Sequence, residues 1–426
     1  MKLRHALIAV ILLQAAQPTA ILSQDLKEQA LQEFREQRYG NAVQLLKQAV
    51  KDNPKDAELY YYLGYYTHYL CYDSVPLSGY DAAVSDTIIA YLKKALELDP
   101  AYRNVYSFLG AEYGARAIRA LQKENWTDFV GNLKLGKESG GYPDWMLEYA
   151  RNVLRSCGRD AILLTGGDSE AFSVWYCQFV ENFRADVTQA PVALLERPWF
   201  VLAVQAGFDG RTRPFPMTWS KDQILAMRPY RWKAQVVEFP IPPEAQKKFA
   251  TQDATFSWNL EPDCKETWIL RAHRALMADM VRANAWERPI HFSLGCQPSM
   301  FSGLEDNLQL AGITWQLVPF NVSTSGRMIN VETSFQVLSD PNNFRAVPSV
   351  KSSDIPRNSQ MLQNYLAASL QVCDSLLQAK DFERARILFS NMQGSLFAEV
   401  VPMMENGQAI MDRMRDTLLS ASGNAK

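Results

Sequence analysis

The strongest constraint on the fold is an internal repeat, because a self-similar sequence predicts a stack of similar structural units. Five residues recur at an offset of 46 positions: Ala49, Pro54, Tyr60, Leu63 and Gly64 return as Ala95, Pro100, Tyr106, Leu109 and Gly110. Apolar residues within each unit follow the spacing of one helical face, and each proline stands where a helix would end. The first third of the chain is therefore predicted to consist of stacked helical hairpins.

The repeated unit is similar to the tetratricopeptide repeat, a helical hairpin whose usual period is about 34 residues. The longer offset predicts an insertion of about twelve residues, which we place between Cys71 and Thr87. A third, degenerate unit runs from Tyr106 to Gly136, and three units suffice to bury a continuous core. We therefore assign residues 24–156 to tetratricopeptide-like repeats.

One predicted helix of the first repeat is unusually rich in tyrosine. They occupy positions 60, 61, 62, 65 and 66, which is more than a repeat core requires. We expect some of these rings to face the concave groove, where aromatic side chains favour contact with a peptide or a glycan. Tyr61 and Tyr65 are our candidate binding residues in this region.

The N-terminus predicts a signal peptide over residues 1–23. Lys2 and Arg4 precede an apolar run from Ala6 to Ala16, and small and polar residues follow it. The run has about eleven residues, whereas a helix needs about twenty to span a bilayer. We therefore expect an exported chain, periplasmic or otherwise extracytoplasmic, whose mature form does not span the membrane.

Composition narrows the classes of function. The chain has 426 residues, with 44 Lys plus Arg against 46 Asp plus Glu and no basic block, which argues against a nucleic-acid partner. It carries no phosphate loop, dinucleotide fingerprint or metal-binding histidine motif, so we expect no cofactor and no metal. In an oxidising compartment its six cysteines allow many disulfide pairings, and buried free thiols are the alternative.

The character of the sequence changes near Cys157, where short apolar runs replace the helical stripes. The predicted strands are 161–164, 186–195, 289–293 and 313–320, with a helix over 171–183 between the first two. A strand, a helix and a second strand in this order predict a parallel pair. We therefore expect an α/β domain with a small, mainly parallel sheet over residues 157–340.

The end of the chain returns to helical patterns. Residues 341–358 are rich in Pro, Ser and Asn and are predicted to form a linker. Helices predicted over 359–379 and 382–392 form a helical hairpin within a C-terminal region that spans 359–426. The predicted fold class is thus α/β plus all-α.

The loop from Thr165 to Glu170 is the candidate site. It follows a predicted parallel strand and precedes a helix, where backbone N–H groups converge and ligands bind in open α/β sheets. The candidate binding residues are Thr165, Gly166, Gly167 and Asp168. Asp168 and Glu170 are candidates for a catalytic acid and base. The alternative is that Asp168 or Ser169 only caps the helix, with Glu170 in its first turn.

Arg288 is the third candidate for catalysis. It directly precedes the strand predicted over 289–293. We expect its guanidinium either to meet Asp168 across the edge of the sheet or to make an ion pair that only supports the fold.

Three stretches of this region resemble one known family. Residues 149–187, 284–292 and 303–319 are similar, in this order, to motifs in the soluble C-terminal part of bacterial membrane proteins related to protein O-mannosyltransferases. In the first stretch the matching residues are Thr165, Gly167, Asp168, Phe172, Trp175, Tyr176, Arg184 and Asp186. The resemblance implies a role connected with glycans or glycoproteins.

The candidate loop departs from the motif of that family. Gly166, Ser169, Glu170 and Ala171 stand where the family commonly has Asn, Asn, Asp and Thr, so amide and hydroxyl groups are lost. The chain also has repeats where family members carry a membrane-spanning transferase region. We therefore expect an exported, non-catalytic binding or scaffold protein with a protein or glycan partner in the cell envelope. The alternative is an enzyme or accessory subunit that acts on glycans or glycoproteins, by glycosyl transfer, through Asp168 and Glu170.

Overall fold

The computed structural model describes residues 24–72, 81–102, 104–350, 355–396, 401 and 406–423. The chain divides into two compact units, Met1–Tyr142 and Pro143–Lys426. Helices form the first unit, and the second combines a five-stranded sheet with further helices. The predicted fold class, α/β plus all-α, is therefore confirmed. The predicted signal peptide and residues 73–80 of the predicted insertion lie outside the described residues.

The described part of the first unit is helical. Its helices are α1 (24–35), α2 (Tyr39–Asp52), α3 (Ala57–Tyr72), α4 (Ala82–Leu98), α5 (Asn104–Gln122) and α6 (Trp126–Glu138). Helix α3 packs against α4, and α5 against α6. Side-chain caps mark the beginnings of α4 and α6, because Asp81 accepts a hydrogen bond from the Ala83 N–H and Asn125 accepts one from the Asp128 N–H.

Small residues allow the close approach of helices in this unit. A Cβ atom on Gly64 would lie 2.9 Å from the Leu92 side chain, so α3 and α4 meet at this glycine. The repeated alanines, Ala49 and Ala95, are completely buried. Ala49, Gly64 and Ala95 are thus recurring residues that the packing of the helices requires.

The second unit contains all the strands of the described chain. Its strands are β1 (Ile162–Thr165), β2 (Thr188–Pro191), β3 (Tyr230–Arg231), β4 (Gln235–Pro240), β5 (Thr255–Leu260), β6 (Ile269–Leu270), β7 (Ile290–Ser293), β8 (Leu308–Ala311) and β9 (Thr314–Leu317). Its helices are α7 (Asp144–Ser156), α8 (Asp168–Phe179), α9 (Pro198–Gln205), α10 (Gly207–Gly210), α11 (Lys221–Leu225), α12 (Pro243–Phe249), α13 (Ala272–Asn284), α14 (Val331–Leu338), α15 (Ile355–Gln378), α16 (Phe382–Asn391) and α17 (Gly407–Gly423).

The main sheet is mixed, with the order β2-β1-β7-β9-β8. Strand β1 pairs in parallel with both β2 and β7, whereas β9 pairs antiparallel with β7 and β8. All four residues of β1 are buried, as expected for a parallel strand that is covered on both faces. The predicted parallel half is present, but the β8–β9 hairpin adds an antiparallel half. Two separate ribbons, β3–β6 and β4–β5, complete the strands.

The stretch predicted as a linker packs within this unit over its described part. Short helical turns cover Pro341–Phe344 and Val347–Ser349, and Phe344 and Val347 are buried. The Glu148 carboxylate of α7 accepts the Ala346 N–H at 3.0 Å. Buried apolar residues among the Pro, Ser and Asn of this stretch explain why it adheres to α7. Helix α7 itself, which we predicted to end the repeat region, belongs to the second unit.

The C-terminal helices and the cysteines complete the description. Helix α17 packs against α15 and α16, so three helices are present where a hairpin was predicted. All six cysteines are free, and four of them are buried, which agrees with the free-thiol alternative. No helix in the described ranges is both long enough and apolar enough to cross a membrane.

Candidate functional site

The loop after β1 lies against the loop after β7, because both parallel strands end at the same edge of the sheet. A Cβ atom on Gly166 would lie 2.2 Å from the Gly295 carbonyl oxygen, so the two backbones are in direct contact. Thr165 is completely buried, and its hydroxyl accepts a hydrogen bond from Gln189 Nε2 at 2.7 Å. Two of the candidate binding residues therefore hold the loop in place.

Glu170 points into the protein. Its side chain is 3% exposed, and one carboxylate oxygen accepts a hydrogen bond from Ser293 Oγ at 2.6 Å. Burial raises the pKa of this carboxyl group to about 7, although hydrogen bonds from the Ser293 hydroxyl and the Gly166 N–H favour its ionised form. The other oxygen, Oε1, has no hydrogen-bond partner among the described residues. Glu170 is thus a buried acid whose ionised form is destabilised by burial near neutral pH.

Asp168 lies on the exposed side of the same turn. It is the first residue of α8, and the N-cap position belongs to Gly167, which makes no side-chain cap. The N-cap residue is therefore Gly167, not Asp168 or Ser169, because α8 begins earlier than we predicted, whereas Glu170 lies in the first turn as that alternative had it. A carboxylate in the first turn still interacts favourably with the helix dipole. Asp168 and Glu170 do not form a pair, since one is exposed and the other is buried.

Arg288 lies at the opposite edge of the sheet, where β1 and β2 begin. Its guanidinium donates to the carbonyl oxygens of Asp160 at 2.6 Å and Pro214 at 2.7 Å, and to Thr188 Oγ1 at 2.8 Å. A fourth bond, at 3.2 Å, reaches the Ala161 carbonyl. Burial lowers the pKa of this guanidinium to about 10. The structure therefore brings Arg288 neither to Asp168 nor to Glu170.

The candidate tyrosines of the first unit belong mainly to its core. Tyr61 is buried, and its ring lies 5.8 Å from that of Phe108, centroid to centroid. Tyr65 is half-buried, and its ring packs against Phe108 at 4.4 Å and against Phe34 at 5.2 Å. Part of the tyrosine cluster therefore joins neighbouring helices, and Tyr65 keeps some surface for a partner.

Three residues of the site were missed by sequence reasoning. Ser293 is the last residue of β7, and Gly295 and Cys296 follow it. Cys296 Sγ donates a weak hydrogen bond to the Leu164 carbonyl at 3.4 Å. A signal was present, because the sequence after β7 carries a glycine close to the end of an apolar strand, as does the sequence after β1. No group of three or more His, Cys, Asp or Glu that could hold a metal occurs within the described ranges.

The contact between the two loops gives a direct test. Gly166→Ala is expected to lower the free energy of unfolding by about 2 kcal/mol, because the new methyl group would overlap the Gly295 carbonyl. Gly167→Ala is the matched control, since a Cβ atom there meets nothing within 4 Å. Denaturant unfolding of both variants measures the difference. Equal stability of the two variants would contradict the observed packing.

Comparison with known families covers this same region. The sequence model of the family described as TMEM260-associated domain 2 matches two overlapping stretches, residues 146–260 and 244–335. They contain the five strands of the main sheet, the 165–170 loop and Arg288, and amount to less than half of the chain. A comparison with curated proteins gives no match. Over these residues the chain is similar to TMEM260-associated domain 2, which relates it to a family of protein O-mannosyltransferase-like proteins.

Proposed function

We propose that this chain is an exported, non-catalytic binding protein of the cell envelope. In this proposal the signal peptide is cleaved, the tetratricopeptide-like helices contact a protein or glycan partner, and the α/β unit serves as a scaffold. One observation carries the proposal: the three candidate catalytic side chains do not share a site. The Arg288 guanidinium donates hydrogen bonds to backbone carbonyls where β1 and β2 begin, and Glu170 is buried at the opposite end of the sheet.

The second candidate function is an enzyme or accessory subunit in glycosyl transfer. The similarity to TMEM260-associated domain 2 favours it, because the matched residues include the whole 165–170 loop. A pKa of about 7 for Glu170 also suits a general acid. Against it stands the burial of Glu170, since a general acid must reach the atom that it protonates.

An assay with a lipid-linked mannose donor and an acceptor peptide separates the two candidates. We expect no transfer above background by the wild-type protein. Asp168→Asn should bind envelope components as the wild type does, and should change stability by less than about 1 kcal/mol, because asparagine keeps the shape and an acceptor oxygen of the side chain and removes only its charge near the helix N-terminus. The binding-protein proposal would be overturned if the wild type transfers mannose and Asp168→Asn abolishes this transfer without changing the melting temperature.

Asp168→Ala refines this experiment. Alanine at position 168 removes all the interactions of the Asp168 side chain beyond Cβ, whereas asparagine removes only its charge, so the alanine variant should melt at a lower temperature. A much lower melting temperature for alanine than for asparagine would show that the Asp168 side chain accepts a hydrogen bond that the fold requires.

A further inference from the structure

Cationic and apolar side chains are exposed along the β3–β6 ribbon and the segment that precedes it. Strand β3 pairs antiparallel with β6, opposing Arg231 to Ile269, and the Trp232 N–H donates to the Trp268 carbonyl at 2.8 Å. This bond places Trp268 beside the segment that carries Arg231 and Lys233. We call Leu225, Arg228, Arg231, Lys233 and Trp268 the ribbon patch. All five residues are exposed.

The ribbon patch is locally positive in a chain whose net charge is −2. Residues 219–236 contain four cations, Lys221 included, against Asp222 alone, which gives a net charge of +3. Over the part of the chain that the structure describes, no ion pair involves Arg228, Arg231 or Lys233. Of the acids in the segment before Trp268, Glu261 pairs with Lys265 and Asp263 with Arg274, and Glu266 accepts a hydrogen bond from Cys264 Sγ at 3.2 Å. The three cations are thus available to an external anion.

Trp268 is unusual among the tryptophans of this unit. Its side chain is 52% exposed, whereas Trp145, Trp175 and Trp258 are buried. Its backbone also has a φ of 54°, in the left-handed region that bulky residues rarely adopt. Both the strain and the exposure of the indole oppose folding, and such costs persist where function requires the geometry. Two exposed aliphatic side chains, Leu225 and Val236, occur in the same segment as the cations.

We propose that the ribbon patch docks on the anionic surface of a phospholipid bilayer. Cationic side chains near such a surface are attracted to lipid phosphates, and indole rings favour the depth of the headgroups. Exposed aliphatic residues then enter the boundary of the acyl chains. A soluble polyanion would engage the cations and leave Leu225, Val236 and Trp268 in water. A lipid surface accounts for all of them. This proposal is independent of the binding role assigned to the helical unit.

Flotation with lipid vesicles tests this proposal on the purified full chain. The wild type is expected to float with vesicles that contain phosphatidylglycerol, to bind pure phosphatidylcholine much more weakly, and to be released by salt. Arg231→Ser with Lys233→Ser should lower the affinity for phosphatidylglycerol vesicles roughly 25-fold, about fivefold for each cation. Trp268→Ala should also weaken binding and remove the blue shift of tryptophan fluorescence that vesicles induce.

The matched control removes the same charge elsewhere. Lys47→Ser with Lys51→Ser changes two exposed lysines of α2 and should leave vesicle binding unchanged. All variants share the same N-terminal segment, so differences between them report on the ribbon patch. Equal binding of the wild type to both kinds of vesicle would overturn the proposal. So would unchanged binding of a folded ribbon variant, or binding to a soluble polyanion such as dextran sulfate without binding to vesicles.

Discussion

Arg288→Ala is expected to lower the free energy of unfolding by about 2 to 4 kcal/mol, because it removes a buried guanidinium together with its charge-assisted hydrogen bonds to neutral acceptors. The guanidinium ties the beginnings of β1 and β2 to the Pro214 carbonyl. The Ala161 carbonyl keeps a second donor, the Thr188 N–H. The carbonyls of Asp160 and Pro214, which belong to a half-buried and an exposed residue, lose a charged donor. The hydroxyl of Thr188 is completely buried and also loses the donor that Arg288 supplies.

Two further variants show whether that loss of stability comes from the guanidinium of Arg288. Arg288→Lys keeps the charge but cannot reproduce the planar fork of donors, so we expect an intermediate loss of stability. Arg159→Ala is the control, since its side chain is 92% exposed and should contribute less than about 1 kcal/mol. Calorimetry measures the melting temperature of the transition in all three proteins. An Arg288→Ala variant that melts with the wild type, yet loses activity on a glycan substrate, would restore Arg288 as a catalytic residue.

The second large effect concerns the dependence of stability on pH. Burial raises the pKa of Glu170 from 4.5 in the unfolded chain to about 7 in the folded protein. Between these values the folded state holds the proton that the unfolded state has released, so stability falls as the pH rises. Below pH 4.5 both states are protonated, and above pH 7 the full cost is present. The shift corresponds to roughly 3 kcal/mol.

Glu170→Gln should remove this component. The difference in unfolding free energy between the variant and the wild type should therefore grow in favour of the variant by roughly 3 kcal/mol from pH 4.5 to pH 7. Glu244→Gln, at an exposed position of α12, serves as the control and should follow the wild type. Urea unfolding at a series of pH values gives the comparison. A constant difference across this range would show that Glu170 is ionised throughout.

Much of the fold follows from local patterns in the sequence. A continuous apolar run marked β1, since a parallel strand buried on both faces has no polar alternation. Strand β7 was marked instead by the alternation of Ile290 and Phe292 with polar residues. The helical stripe and the small residues of the repeat marked the helices that pack in the first unit. Strand β8 was missed, because Leu308–Ala311 is short and the Gln309 side chain interrupts its apolar run. Pairing with β9 on one side and a bridge between Leu310 and Ile329 on the other hold it in the sheet.

The candidate site was harder to predict, for a specific reason. The predicted helix began at Ala171, which left Asp168 and Glu170 together in a loop. In the structure α8 begins at Asp168, and residues two apart on a helix face different sides. One carboxylate is therefore exposed and the other is buried. The hydrogen-bond acceptors of Arg288 are mainly backbone carbonyls of residues distant in sequence. Such acceptors cannot be predicted from the types of side chain in the sequence.

The glycine that replaces the family's asparagine at position 166 has a structural reason. An asparagine there would place its Cβ atom against the Gly295 carbonyl, so the loop of this chain is closed more tightly than such a side chain allows. The departure at Gly166 therefore reflects the packing of two loops as well as the loss of an amide. This distinction is visible only once the two strand ends lie side by side.

The burial of the thiols gives the chain a ready means of selective labelling. Four of the six cysteines are buried, and the two half-buried ones are Cys71 in the first unit and Cys264 in the second. A thiol-reactive fluorophore applied under native conditions should react with these two cysteines before it reacts with the four buried ones. One labelling step, without any engineered cysteine, therefore places a donor or acceptor dye on each unit and makes the native protein a reporter for energy transfer.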